Sequence, residues 1–182
     1  MKKISVFRLF IFIFLYSLVA NFAHPITPTF IQNLELHDYM FGVAFASMSL
    51  TNFAFSPFWG KISRSIGSSK VLGFCFMGYA FAQFIFGSAT TEFQIALARL
   101  IAGIFISGIS VNQILYVLDN SEEGKAGANL ATQVTINVVL NAFGFMIGGF
   151  IGDFSIKLQK ISNQSVSSNI DNSFTENEVK YK

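Results

Sequence analysis

The chain of 182 residues is 52% hydrophobic and only 12% charged, and its last thirty positions hold eight of the charged residues, leaving fourteen for the first 152. A soluble domain carries about a quarter charged residues, so a water-soluble fold is excluded for this first part. The formal net charge of +2 is too small to attract nucleic acid.

Crossing a hydrocarbon core of about 30 Å takes roughly 20 apolar residues in a helix, because no backbone group can be left unpaired there. Five stretches meet this, at about 4–30, 39–59, 71–88, 93–118 and 126–152. The expected fold is therefore all-α: a polytopic transmembrane helix bundle of about five spans over residues 1–152. The first stretch follows Met1-Lys2-Lys3 and could be a signal peptide, but cleavage after Ala23 would put Asn21 at the minus-three position, where a small residue is needed, and four more spans follow. It is read as a span. Asn21, His24, Pro25, Thr27 and Pro28 mark a polar, kinked region near its end.

Lys2, Lys3 and Arg8 open the first span, Lys61, Arg64 and Lys70 separate the second from the third, and Lys125 separates the fourth from the fifth. The opposite segments, 32–38 and 87–92, hold no lysine or arginine. Basic residues stay on the cytoplasmic side, so the N-terminus is expected inside, in a multi-pass protein of the cell membrane of a bacterium. Residues 153–182, rich in Ser and Asn, are expected to form a polar tail without fixed structure.

The single cysteine, Cys75, excludes an intrachain disulfide and a thiol-bound metal, and His24 and His37 lack ligand spacing. No metal or cofactor is expected. Nor is an enzyme, since there is no phosphate-binding glycine loop, no nucleophile elbow and no pair of carboxylates on a buried helix face; Glu122 and Glu123 are adjacent in an expected loop.

Four segments carry a pattern. The first is Gly60-Lys61-Ile62-Ser63-Arg64-Ser65-Ile66-Gly67-Ser68-Ser69-Lys70, whose glycines suit a tight turn and whose cations suit the cytoplasmic face, whether as a signature or as a short positive-inside loop. The second is Arg99 with Gly103 four residues on and Gly108 beyond. A buried arginine costs at least about 2.5–3.5 kcal/mol and so is a functional candidate, unless it snorkels to water from near the end of its helix. The third is Asp119 followed by Glu122, Glu123 and Lys125, either a bridge toward Arg64 or a solvated loop. The fourth is the end of the fifth span, where Gly144, Gly148 and Gly152 recur every fourth residue beside Gly149 and offer a smooth packing stripe. Upstream in that span Asn129, Gln133, Asn137 and Asn141 also recur every fourth residue. This is one polar face, which belongs against a water-filled cavity or another helix.

In order and spacing, over about residues 7–153, these segments resemble the N-terminal half of the major facilitator superfamily, and most closely its drug/proton antiporters. Gly60, Arg64, Gly67 and Lys70 match the family's signature loop, with Ser63 where an aspartate is usual, and Phe145 stands where antiporters carry proline. The resemblance implies a secondary transporter exporting small amphipathic molecules in exchange for protons. Asn21, His24, Arg99, Asn129, Gln133, Asn137 and Asn141 would line the path, Gly60, Arg64, Gly67, Lys70 and Asp119 would form a conformational loop, and Gly103, Gly108, Gly144, Gly148, Gly149 and Gly152 would pack helices. The expected partners are the lipid bilayer, a small-molecule substrate, and a missing C-terminal half or a full-length homologue. Family members have two six-helix halves, and the sixth helix fails to appear after Asp153. The expectation is a truncated chain, and the alternative function is a fragment that does not transport, or that partners a full-length transporter.

Overall fold

The structure is a computed structural model that describes residues 6–21 and 23–180; Lys2 and Lys3, used above for orientation, lie outside them. Six helices account for it: α1 (Val6–Ala20), α2 (Ala23–Asn33), α3 (Met40–Ile66), α4 (Ser68–Gly87), α5 (Glu92–Asn120) and α6 (Ala126–Lys180). Among the described residues there is no strand.

Three expectations are corrected. The single first span is two helices, α1 and α2, broken around Asn21. Pro25 has no N–H to give the Asn21 carbonyl four residues back, and its ring crowds that carbonyl. The loop expected over 60–70 shrinks to one residue: Gly60 and Arg64 lie in the last turns of α3 and Lys70 in the first turn of α4, with Gly67 alone between them at φ +92°. Only glycine takes that conformation freely, and the Gly67 N–H still closes α3 on the Ser63 carbonyl at 2.9 Å. The tail expected to lack structure is helical to Lys180. From Asp153 onward there is no glycine or proline to stop it, and Asp153 pairs with Lys157 one turn on at 2.7 Å.

By length and composition α4, α5 and the Ala126–Leu158 part of α6 can each cross a membrane. At 15 and 11 residues α1 and α2 are each too short to cross alone, and both lie along α6. Although α3 is long enough at 27 residues, it is more polar, and three of its polar side chains are bonded to α5. Thr51 Oγ1 donates to the Leu100 carbonyl at 2.9 Å, Trp59 Nε1 to the Ile104 carbonyl at 2.7 Å, and Ser63 Oγ to Asn112 Oδ1.

These pairs advance together along both chains, so α3 and α5 run parallel. So do α1 and α6, joined at Ser17–Asn137 and Asn21–Asn141. By contrast α4 and α5 are antiparallel, meeting at Ser68–Asp119 near one end and at Gln83–Arg99 near the other. The bundle thus alternates: α1–α2, α4 and α6 point one way, α3 and α5 the other. Lys61, Arg64, Lys70 and Lys125 fall at one end, while Glu35, Asp38 and Glu92 fall at the other. At the acidic end Glu92 takes His37 Nδ1 at 2.7 Å and the Tyr39 hydroxyl at 3.1 Å, which ties the α2–α3 link to the start of α5. At the basic end the Lys125 ammonium beside Glu122 is held above its ordinary range by their hydrogen bond.

Two buried clusters fill the bundle. One joins α1, α3, α4 and α5 around Ile13, Trp59, Cys75, Tyr79 and Ile109; the other joins Ile31, Met40, Phe86 and Ile95 toward the acidic end. Outside, Phe53, Phe84 and Phe93 are 83%, 72% and 75% exposed, a surface that only lipid or protein can cover. Glycines let α5 come close to its neighbours α3 and α4. A Cβ on Gly103 would overlap Thr51 Oγ1 and the Met48 carbonyl of α3, and one on Gly108 would overlap Cys75 Sγ of α4 and lie 3.0 Å from the Trp59 ring of α3.

Gly103→Ala should therefore destabilise the chain by about 1–3 kcal/mol, the cost of overpacking against backbone. Gly149→Ala, where a Cβ meets nothing within 4 Å, should stay within about 0.5 kcal/mol. Thermal unfolding of both variants in detergent checks the contrast.

Candidate functional site

Between α1, α2 and α6 on one side and α4 and α5 on the other lies a cavity of about 250 Å³. Its α1–α6 wall is a ladder of amides and one hydroxyl. Ser17 Oγ donates to Asn137 Oδ1 at 2.6 Å, and one turn on Asn21 Nδ2 donates to Asn141 Oδ1 at 2.6 Å and to the Ser17 carbonyl at 2.7 Å. Each helix contributes residues four apart, which face the same way. Gly144 lets the helices close: a Cβ there would lie 2.8 Å from both Asn21 Cβ and the Leu18 carbonyl.

The floor is a second amide group. Gln113 of α5, 4% exposed, accepts at Oε1 from Gln133 Nε2 at 3.4 Å and from Asn137 Nδ2 at 3.5 Å. Its own Nε2 has no partner, nor does Gln133 Oε1. Across the cavity His24 of α2 lies between two aromatic rings, Phe45 at 5.4 Å and Phe145 at 5.5 Å, with its Nδ1 buried and unpartnered. Tyr16 and Tyr79 complete the wall, their ring centroids 5.9 Å apart.

Arg99 is 2% exposed and does not line the cavity. Its guanidinium sits 3.7 Å from the centre of the Phe86 ring and donates to Thr27 Oγ1 at 3.1 Å and to Gln83 Oε1 at 3.5 Å. Among the described residues no carboxylate lies within ion-pair distance of it. Gln83 passes the contact on, since its Nε2 donates to the Tyr79 hydroxyl at 2.9 Å. Arg99 thus reaches the cavity wall through a neutral amide.

The residues singled out from sequence divide accordingly. Asn21, His24, Asn137 and Asn141 line one cavity, with Gln133 bonded to its floor. Asn129 does not join them: its amide donates to Ser121 Oγ at 2.8 Å and secures the start of α6. Asp119 accepts from Ser68 Oγ at 2.9 Å, beside the Gly67 turn, instead of reaching Arg64. Gly60 has only an ordinary neighbour, with Val111 Cγ1 at 3.8 Å from a Cβ there. Gly103, Gly108 and Gly144 are sites of close approach, Gly148 is buried, and a Cβ on Gly152 would sit 3.6 Å from Ile26. Gly149 does not pack; one residue past Gly148 the helix has turned about 100° and it faces open space.

Sequence reading missed Tyr16, Ser17, Tyr79, Gln83 and Gln113. Ser17 and Asn21 were findable, a polar pair four apart in an apolar run that repeats the spacing of Asn137 and Asn141. The tyrosines and Gln113 carried no such signal, since nothing in their own helices marks which polar side chains face the α1–α6 wall.

The order of these segments has a counterpart among known proteins: residues 9–157 match the Major Facilitator Superfamily model. The chain belongs to the major facilitator superfamily. It is 29% identical over 115 residues to the uncharacterized MFS-type transporter YuxJ of Bacillus subtilis (strain 168), covering 63% of this chain and 28% of that protein. It is 28% identical over 134 residues to the multidrug resistance protein MdtG of Proteus mirabilis (strain HI4320), covering 71% and 33%. It is 23% identical over 150 residues to the quinolone resistance protein NorA of Staphylococcus aureus, covering 82% and 38%. The chain spans between 28% and 38% of the length of these relatives. Its apolar helices and bacterial relatives make it a bacterial membrane protein, in a family of transporters and not of catalytic enzymes.

The ladder's bonds are side chain to side chain within a membrane protein, where such pairs couple by about 0.6 kcal/mol on average and up to about 1.7 kcal/mol. A double-mutant cycle of Asn21→Ala and Asn141→Ala, read by unfolding in detergent, should give coupling in that range. Asn129→Ala combined with Asn21→Ala should give additive losses.

Proposed function

We propose that the chain is a transport element of the bacterial cell membrane, moving small amphipathic molecules outward in exchange for protons, with the cavity between α1–α2 and α6 as its substrate site. The observation that carries this reading is the cavity itself. Amides, tyrosines and a histidine converge in a bundle whose other faces are apolar, and polar side chains at membrane depth mark a substrate or ion path. Two of its relatives are named for multidrug and quinolone resistance, which supports export over uptake.

His24 is the proton carrier in this reading. Among the described residues no carboxylate lines the cavity; Glu35, Asp38, Glu92, Asp119, Glu122 and Glu123 sit at helix ends or links, and Asp153 pairs with Lys157. Histidine is the side chain whose ordinary pKa lies near neutrality, and the His24 ring is held between two phenylalanines with a nitrogen free. The Gly67 turn, held to α5 through Ser68 and Asp119, is where α3 and α4 would pivot. A second reading, a partner of a longer relative without transport of its own, draws on the fraction of the relatives that the chain spans.

Purified chain in vesicles with an imposed pH gradient separates the two. Transport predicts gradient-driven movement of at least one amphipathic dye from a panel of mixed charge, and loss of the gradient dependence in His24→Gln. Absence of movement for every dye refutes independent transport.

Orientation has its own test. The charge distribution puts the Lys61–Lys70 end in the cytoplasm. In a Cys75→Ser background, a cysteine at Asp38 should react with an impermeant maleimide on intact cells, and one at Glu123 should react only after lysis.

A further inference from the structure

A second pocket, of about 200 Å³, lies at the basic end of the bundle between α1, α4 and α5 and shares no residue with the central cavity. Among the described residues the backbones of α1 and α4 stay apart. Side chains bridge them deeper in, where the Tyr16 ring meets Phe76 at 5.1 Å and Tyr79 at 5.9 Å. The lining is graded from the helix ends inward. Arg8, Ser69 and Tyr116 stand at the mouth, each within two turns of the end of its helix. Farther in, the pocket is lined by Phe12, Leu72, Gly73 and Phe76, all apolar. Arg8 and Gly73 are exposed, Phe12 is 62% exposed, and a Cβ on Gly73 would meet nothing within 4 Å, so the pocket opens sideways onto the outer face of the bundle. Among the described residues Arg8 has no carboxylate within ion-pair distance, and neither have Lys61, Arg64 and Lys70 at the same end. The acids there are engaged elsewhere, Glu122 with Lys125 at 2.6 Å and Asp119 with the Ser68 hydroxyl at 2.9 Å.

We propose that this pocket seats an anionic phospholipid of the leaflet at the basic end, with its phosphate at the Arg8 guanidinium and the upper part of one acyl chain along Phe12, Leu72 and Phe76. The lining calls for both parts of that molecule. An arginine at the membrane surface with no carboxylate beside it matches a phosphate through its planar fork of donors, and basic pockets between membrane helices bind anionic head groups. A soluble anion would meet the arginine and leave the apolar trough without a match. A zwitterionic lipid would fill the trough but bring an ammonium group to an end that already carries Arg8, Lys61, Arg64 and Lys70. The site also borders the central cavity, since Phe76, which closes the inner end of the pocket, lies edge-on to Tyr16 of the cavity wall.

The test places the full chain in vesicles of equimolar phosphatidylglycerol and phosphatidylcholine with matched acyl chains, extracts it in mild detergent and counts the retained lipid by native mass spectrometry. Phosphatidylglycerol should be retained about fivefold over phosphatidylcholine, one cation's share of the attraction at a membrane surface. Arg8→Gln should remove most of that preference. Gly73→Leu, which fills the trough and alters no charge, should lower the retention of phosphatidylglycerol with Arg8 still in place. A large excess of soluble glycerol phosphate should displace none of the lipid; displacement would make this a site for free phosphate esters and overturn the proposal. Equal retention of the two lipids, or a preference that survives both substitutions, overturns it as well. A second measurement needs no variant: phosphatidylglycerol with a diazirine in the upper acyl chain, photolysed in the same vesicles, should label α1 near Phe12 or α4 between Ser69 and Phe76. Labelling confined to other helices overturns the proposal even where a variant fails to fold.

Discussion

A polar group surrounded by hydrocarbon must find its partner inside the protein, and the rest of this structure is arranged around that constraint. It is strictest along the α3–α5 seam. Thr51 and Trp59 of α3 reach main-chain carbonyls of α5, and Asn112 of α5 bonds both Ser63 across the seam and its own helix at the Gly108 carbonyl, 2.7 Å away. Those bonds require the axes to be close, and Gly103 and Gly108 provide the room. Packing and polarity thus act together: a larger residue at either glycine would separate the very groups that let α3 lie in a membrane with so many hydroxyls.

The α1–α6 seam solves the same problem differently. Its bonds run from side chain to side chain, amide to amide and hydroxyl to amide, and they border a cavity. A main-chain carbonyl in a helix cannot turn away from its place, whereas an asparagine side chain can rotate and take a ligand or a water instead. The two parallel helix pairs therefore differ in character. One is held mainly by main-chain carbonyls; the other is held by side-chain amides and a hydroxyl.

Much of this was legible in the sequence. The sparse charge and the five apolar stretches establish a helical membrane bundle. The polar residues every fourth position from Asn129 to Asn141 announce a special face on α6, and Arg99 announces itself by its cost. Three things were not legible. The break between α1 and α2 depends on Pro25 denying a donor to Asn21, but proline also occurs within continuous membrane helices, as Pro57 does in α3. The extent of α6 past Gly152 reflects missing stop signals, which are harder to read than present ones. Gln113 and Tyr79 matter because of what α6 and α4 bring near them, and no periodicity in their own helix carries that information. Asn129 shows the converse: it shares the spacing of Asn137 but lies two turns nearer the link, where Ser121 takes its amide.

Arg99 shows how the constraint and the proposed function meet. A guanidinium taken out of water ordinarily demands a carboxylate, yet its partners here are a hydroxyl, an amide oxygen and the face of Phe86. Neutral partners disperse the charge without cancelling it. The residual field falls on the cavity through Gln83 and Tyr79, next to a histidine whose protonation would add a second positive charge. An anionic guest and a protonated His24 would then stabilise each other, while a protonated His24 and an empty cavity would not. The occupant's charge and the histidine's proton are thus coupled by proximity: a positive occupant would compete with that proton, the coupling that exchange requires, whereas an anionic one would travel with it.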